Sequence, residues 1–459
     1  MTHFNEHSKT TVRSYRMITL VMAMTCLLIS SGCSGKAGSG LAAEPQEVPS
    51  TASPSSVNPP SRQTETVSPS ANQSPLPVTS ASPEPAVSEG IRPADDIEQQ
   101  IATLPLEDKI GQMLLVGIDG TEVSAQTQNM ITTDKVGGII LYADNIDNLK
   151  GLVSLTNGLK RSNAGNPAPL FVSVDQEGGK VSRLPDEYAK IPANGAVGVS
   201  GNAEAAETMG KLLAREVQGA GFNMNFAPVL DINSNPNNPV IGDRSFGSTS
   251  AKVIKLGIAE MKGIESEGVV PVVKHFPGHG DTSVDSHLEL PVVKKTEAQL
   301  AKLEWLPFQA AIKEQTDAVM VAHILYPKLD PDRPASLSKV IVGQLLREQM
   351  GFKGVVITDD LTMGAILKNY SLATAAVNTV LAGSDILLIA HEYSNEQTAR
   401  KALLAAVRSG KISEARIDES VYRILALKQK YKLTDELIPI PKLTELNKDI
   451  KIWRQKISL

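Results

Sequence analysis

Between Gln112 and Ala390 the chain repeats one alternation eight times: a short, uninterrupted apolar run, then a stretch with helical spacing. The runs read QMLLVGI, VGGIILY, PLFVSVD, FNMNFAPV, VVPVVKHF, AVMVAHI, GVVITDD and DILLIA. Segments such as AEAAETMGKLLAREVQGAG and SAKVIKLGIAEMKGIESEG separate them. A strand with one wet face alternates apolar and polar residues. A continuous apolar run needs cover on both faces, which is the condition of parallel strands beneath helices. Eight such units in one domain, residues 95–432, predict a single (β/α)8 barrel of the TIM type in the α/β class. An open doubly wound sheet is the alternative, but no glycine-rich dinucleotide fingerprint opens the first unit. Residues 433–459, with PIPKL, are expected to pack as a tail across the outside.

The first tenth of the chain has a different character. Lys9, Arg13 and Arg16 precede the apolar run MITLVMAMTCLLI (Met17 to Ile29), which is followed by SSGC. This is the layout of a signal peptide, here 1–32, and too short for a comfortable membrane span. Its end resembles a bacterial lipobox, with Ser30 where leucine is usual. That resemblance implies lipidation of Cys33 as the first mature residue. Residues 33–94 are rich in Ser, Pro, Thr and Ala and contain no aromatic residue, so they are expected to form a disordered tether. Cys26 and Cys33 are the only cysteines. The rest of the chain therefore offers no disulfide and no thiolate metal site. A net charge of -5 gives no basic footprint for nucleic acid.

In a barrel, chemistry collects where strands end and the following loops begin. The third run ends at Asp175, and the fourth leads to Asn225 and Asp231. The fifth ends at Lys274 and His275, the sixth at His323, and the seventh at Asp359. Plainer roles exist for each. Asp359 or Asp360 can cap the next helix, His323 can be a satisfied core histidine, and Gly178–Gly179 can form only a tight turn. The loop KHFPGHGDTSVDSH, from Lys274 to His287, holds three of the seven histidines. His275 and His279 have the i, i+4 spacing of a helical zinc pair, but Pro277 and Gly278 between them oppose a helix. His279 and Asp281 can simply shape the loop.

Six stretches together resemble the family-3 glycoside hydrolases, and specifically the β-N-acetylhexosaminidase branch. They are DQEGGKVSR, NFAPVLDIN, VIGDRSFG, KHFPGHGDTSVDSH, RPASLS and GVVITDDLTMGAI, in the family's order. Lys180 stands where relatives usually have arginine. The resemblance implies the barrel and retaining hydrolysis of terminal β-linked N-acetylglucosamine, with peptidoglycan fragments (muropeptides) as natural substrate. It implies Asp359 as nucleophile, His287 as general acid/base and Asp285 as its partner. Asp175, Arg183, Arg244, Lys274 and His275 match positions that hold sugar hydroxyls. No cofactor and no metal are implied. An imidazole suits the proton-transfer role because it gives and takes a proton near neutral pH.

Three other readings compete. A phosphorylase would exploit the better tolerance of a phosphate anion by histidine than by glutamate. A metal-dependent hydrolase would use His275, His279, Asp281 and His287. A non-catalytic sugar-binding lipoprotein would need Asp359 or His287 to be absent, and both are present. The expected setting is a monomer held to the outer face of a bacterial cell membrane by its lipid anchor.

Overall fold

The computed structural model describes residues 95–457. The signal segment, Cys33 and the Ser/Pro/Thr-rich stretch lie outside them. Each apolar run forms a strand: β1 Leu114–Gly117, β2 Gly138–Leu141, β3 Phe171–Val174, β4 Met224–Asn225, β5 Val270–Phe276, β6 Ala318–Val321, β7 Val355–Thr358 and β8 Leu387–Ile389. Neighbours are parallel throughout, in the order β7-β6-β5-β4-β3-β2-β1-β8. A parallel bridge between Ile357 and Ile386 joins the two ends. Thr358 N–H bonds Ile386 O at 3.1 Å and Ile386 N–H bonds Val356 O at 3.0 Å. The sheet therefore curls into the (β/α)8 barrel that the alternation predicts. Every residue of every strand is buried, which is why the runs carry no polar alternation.

β4 is short because Pro228 follows it closely and has no N–H to give to the ladder. Pairing with β5 resumes at Val229, opposite Lys274, and Leu230 N–H bonds Lys274 O at 2.6 Å. This resumed stretch carries Asp231 to a point beneath the end of β5. The peptides Ala227–Pro228, Lys274–His275 and Phe276–Pro277 are cis.

Helices cover the strands. The helix Ala203–Gly219 begins at Asn202, whose side chain accepts the Glu204 N–H at 3.0 Å. Its neighbour Ser250–Ser266 packs along it. The tail adds a last helix, Thr444–Lys456, which buries Ile450 and Trp453. Trp453 Nε1–H bonds Ala205 O at 3.0 Å, and Arg215 pairs with Asp449 at 2.9 Å. No helix among the described residues is long and apolar enough to cross a membrane.

The strand N-termini form the floor of the barrel, and one cation closes it. Lys428, on the helix Glu414–Lys430, is buried there. Its Nζ donates to Gln112 Oε1 and Gly137 O, both at 2.9 Å, and sits 4.8 Å from the centre of the Phe171 ring. Burial pushes its ammonium down to about 7. An unfolded lysine keeps its proton to about pH 10.4. Above pH 7 the unfolded state therefore binds more protons than the folded state, and stability rises with pH. The Lys428 contribution should amount to at most about 1.4 kcal/mol per pH unit between pH 7.5 and 9.5. Urea unfolding across that range should show a more positive slope for the native chain than for Lys428→Met. Equal slopes would mean that Lys428 stays charged in its burial site.

Candidate active site

At the opposite, C-terminal mouth the strand ends surround a cavity of about 170 Å3. Asp175, Arg183, Arg244, Lys274, His275, His287 and Asp359 line it together. Asp285 is not in the lining but is bonded to His287.

The inner wall is a chain of alternating charges. Lys274, near the end of β5, has a side chain only 2% exposed. Its Nζ donates to Asp175 Oδ1 and, at 2.6 Å, to Glu177 Oε1. Burial alone would lower the Lys274 ammonium, but Asp175 and Glu177 outweigh it and hold it above its ordinary value. Glu177 is buried and receives Arg244 in a fork, Nε to Oε2 at 2.8 Å and Nη2 to Oε1 at 2.7 Å. Burial would raise that carboxyl, yet Arg244 and Lys274 hold it well below the usual carboxylate range. Two cations and two anions leave the cluster formally neutral. Glu177 was not among the residues singled out from the sequence, although it stands in the same DQEGG stretch as Asp175.

The turn after Glu177 is tight. Gly178 and Gly179 have φ of 86° and 59°, in the left-handed region that favours glycine. Glu177 N–H bonds Val181 O at 2.9 Å, closing a small hairpin. Gln176 braces its far side by accepting Arg183 N–H at 2.8 Å on Oε1. Asn225 reinforces the start of the turn, bonding Gln176 N–H and O at 3.0 and 2.9 Å. Asn225 therefore supports the wall from behind.

Each histidine is defined by its partners. Asp231, fully buried, accepts the His275 ring Nδ1 at 2.6 Å, His275 N–H at 3.2 Å and His279 N–H at 2.6 Å. Burial would raise the Asp231 carboxyl, but His275 outweighs it and lowers it. A carboxylate only accepts, so the His275 hydrogen lies on Nδ1 and Nε2 is left for the cavity. In His279 both ring nitrogens are occupied, Nδ1 with Thr282 Oγ1 at 2.9 Å and Nε2 with Ser286 Oγ at 3.2 Å. Thr282 gives its own proton to His279 O, so Nδ1 donates and Nε2 accepts. Burial, with help from His275, pushes the His279 imidazole down to about 4. His323 is buried and satisfied: Nε2 donates to Asp360 O at 2.9 Å and Nδ1 faces Ser336 Oγ at 2.7 Å. Burial lowers its imidazole too. It is the core histidine of the plainer reading.

The two aspartates after β7 divide sharply. Asp360 Oδ1 accepts Thr362 N–H and Ala390 N–H, each at 2.9 Å, and Oδ2 accepts the Thr362 hydroxyl at 2.6 Å. It is committed to the turn. Asp359 is partly exposed to the cavity, and its carboxylate accepts Asp360 N–H at 2.9 Å. Burial would raise its carboxyl, but the imidazoles of His323 and His275 and that N–H hold it below the usual range. Asp359 is therefore an ionised carboxylate facing the cavity.

The loop beyond β5 brings in the last pair. His287 donates Nδ1–H to Asp285 Oδ1 at 2.7 Å, and its main-chain N–H reaches the same oxygen at 2.9 Å. Its side chain is 66% exposed. Asp281 instead pairs with Lys295 at 3.1 Å and shapes the loop. Among the described residues no group of three or more His, Cys, Asp or Glu side chains is arranged to hold a metal ion. The lining also includes an aromatic pair, Tyr142 and His391, that is not among the sequence candidates. Tyr142 and His391 stack with ring centres 5.6 Å apart and planes at 30°. Burial, then Asp360, Asp175 and Asp359, raise the Tyr142 hydroxyl well above its ordinary value. Tyr142 ends the run VGGIILY and His391 directly follows the run DILLIA, so the strand-end rule applied to those runs points to them.

Comparison with known proteins agrees with this architecture. The sequence pattern of the glycosyl hydrolase family 3 N-terminal domain matches residues 105–427. A relative named beta-hexosaminidase A, from Pseudoalteromonas piscicida, is 36% identical over 334 residues, covering 68% of this chain but only 56% of its own length. A family 3 β-N-acetylglucosaminidase from Paenibacillus sp. str. FPU-7 superimposes with a TM-score of 0.73 at 43% identity, over 77% of this chain and 69% of that one. A β-N-acetylhexosaminidase from Beutenbergia cavernae gives a TM-score of 0.66 at 31% identity, over 72% of this chain and 99% of that one. With its barrel, the six ordered motifs and a match spanning most of the described residues, the chain belongs to glycosyl hydrolase family 3.

Proposed function

We propose that this chain is a retaining, exo-acting β-N-acetylglucosaminidase that removes terminal N-acetylglucosamine from peptidoglycan-derived fragments. The observation that carries this reading is one cavity with an ionised Asp359 on its wall and an exposed imidazole, His287, on the loop beside it. In the first step the Asp359 carboxylate attacks the anomeric carbon. The bond to the leaving oxygen breaks with its electron pair, and His287 supplies the proton. Asp285 orients the ring through Nδ1 and stabilises the imidazolium, as the aspartate does in a Ser-His-Asp triad. In the second step His287 takes a proton from water. That water attacks the anomeric carbon and frees Asp359. Two inversions at one carbon give retention.

Asp175, Arg183, Arg244, Lys274 and His275 hold the sugar's hydroxyls from the opposite wall. The names of the similar enzymes support an N-acetylated hexose. The chemistry needs neither cofactor nor metal. The lipobox-like ending before Cys33 supports anchoring on the outer face of the membrane, where wall fragments are at hand.

Digestion of chitobiose should release N-acetylglucosamine equally with and without phosphate, first as the β-anomer. Accumulation of N-acetylglucosamine 1-phosphate would make the chain a phosphorylase. Asp359→Ala should lower kcat by several orders of magnitude and cost less stability than Asp360→Ala, because the other carboxylates of the lining are engaged, Asp175 with Lys274 and Asp360 with its turn. Asp360→Ala should do the reverse: a smaller loss of rate and a loss of stability of about 1–3 kcal/mol for each N–H left unpaired. Opposite rankings would exchange their roles. His287→Ala should lower kcat/KM for a disaccharide by roughly 10²–10⁴-fold. An aryl glycoside with a nitrophenolate leaving group should lose far less kcat/KM and should show a burst followed by trapped glycosyl-enzyme. Equal losses with no burst would remove His287 from proton transfer.

A further inference from the structure

We propose that Ser286 and Gly364 are positioning residues that hold the Asp285–His287 dyad over Asp359, with His279 as the buried post to which Ser286 is tied. The proposal rests on the acid/base reading of His287 given above. The dyad's own hydrogen bonds run between Asp285 and His287, two residues apart. They fix the imidazole relative to its loop but not the loop relative to the barrel. The flanks give little help: the His287 side chain is 66% exposed and Leu288 is 62% exposed. A proton donor held only by such a loop would spend much of its time out of reach, and displacement by an ångström costs rate steeply.

Two contacts supply what the dyad lacks. Ser286, between the two dyad residues, is the buried member of the trio at 2% exposure. Its hydroxyl meets His279 Nε2 at 3.2 Å, on the nitrogen that the Thr282 contact leaves as an acceptor. His279 is in turn bonded through its main-chain N–H to Asp231, the carboxylate beneath His275. The loop is thereby connected to the barrel through side chains.

The second contact is through the main chain. Gly364 N–H bonds His287 O at 3.1 Å, and Ala365 N–H bonds Ser286 O at 3.2 Å. A Cβ on Gly364 would lie 2.7 Å from both His287 O and Leu288 O, closer than packed atoms allow. The Gly364 backbone does not occupy the left-handed region, so what the glycine supplies here is space. Gly364 follows Asp359 by five residues and opens the short helix Gly364–Leu367 at the end of the turn after β7. The dyad loop is thus latched to the segment that carries the nucleophile, and the two reacting groups keep a common frame.

The test uses Ser286→Ala, Gly364→Ala and each of them combined with His287→Ala in the full chain. Both single variants should lower kcat/KM for the disaccharide by roughly 10–100-fold. The burst rate with the activated aryl glycoside should change by less than about threefold, because that step needs little protonation. In the His287→Ala background neither change should cost the disaccharide reaction anything more, since both act through His287. Ser286→Ala removes one buried oxygen and keeps the question open to measurement if Gly364→Ala fails to fold. Equal losses for both leaving groups, no loss for either, or additive losses in the His287→Ala background would overturn the proposal. If His287→Ala shows the leaving-group dependence and Ser286→Ala does not, the positioning role alone fails. If His287→Ala lacks that dependence, the acid/base reading fails and the positioning role falls with it.

Discussion

The ammonium of Lys274 is the charge around which the mouth of the barrel is arranged. Removing such an ion from water costs several kcal/mol unless fixed partners replace the lost hydration. Asp175 and Glu177 replace it here. Glu177 is more deeply buried still, and it needs Arg244 in turn. The requirement spreads through two loops and a strand and draws the segments after β3 and β4 against the end of β5 in one wall. The donors that would meet sugar hydroxyls are thus held in place before any ligand arrives, and little reorganisation remains to be done at the moment of reaction. Asp359, across the cavity, has no such direct ion pair, so its negative charge is not spent on a neighbour.

The histidines of the mouth show how one side chain takes different duties from its surroundings. His279 and His323 are buried, with both nitrogens bonded, and they act as struts. His275 and His287 each give Nδ1–H to an aspartate and keep Nε2 free. Their pairing is the same, but their burial is not. His275 rests on an aspartate inside the barrel and cannot swing, which suits gripping a hydroxyl. His287 rests on an aspartate of its own exposed loop, which suits a group that must deliver a proton and then accept one.

Much of this arrangement was legible in the sequence, for a physical reason. Strands covered on both faces must be apolar at every position, so the eight runs announced eight parallel strands. Polar residues at the ends of such runs are costly unless they serve the mouth, which pointed to Asp175, Lys274, His275 and Asp359. What stayed hidden depends on distant partners. The choice between Asp359 and Asp360 turns on the Ala390 N–H, 30 residues away on the end of β8. The role of Glu177 appears only when Arg244, 67 residues on, reaches it. Tyr142 and His391 stack because the ring closes and brings the ends of β2 and β8 to either side of β1. The buried face of the tail helix required knowing that Ala205 would lie beneath Trp453.

The saturation of Asp360 has a consequence of another kind. The turn after β7 is held mainly by residue 360, whose carboxylate takes three hydrogen bonds, whereas residue 359 contributes one, to the Asp360 N–H. The wall of Asp175, Arg244, Lys274 and His275 is built around the ends of β3, β4 and β5 and does not depend on residue 359 for its hydrogen bonds. If Asp359 and the wall act as proposed, loss of turnover and loss of recognition are separable in this architecture. On the function proposed above, a duplicated copy that lost Asp359 would remain a folded domain with that wall intact, a binder instead of a hydrolase.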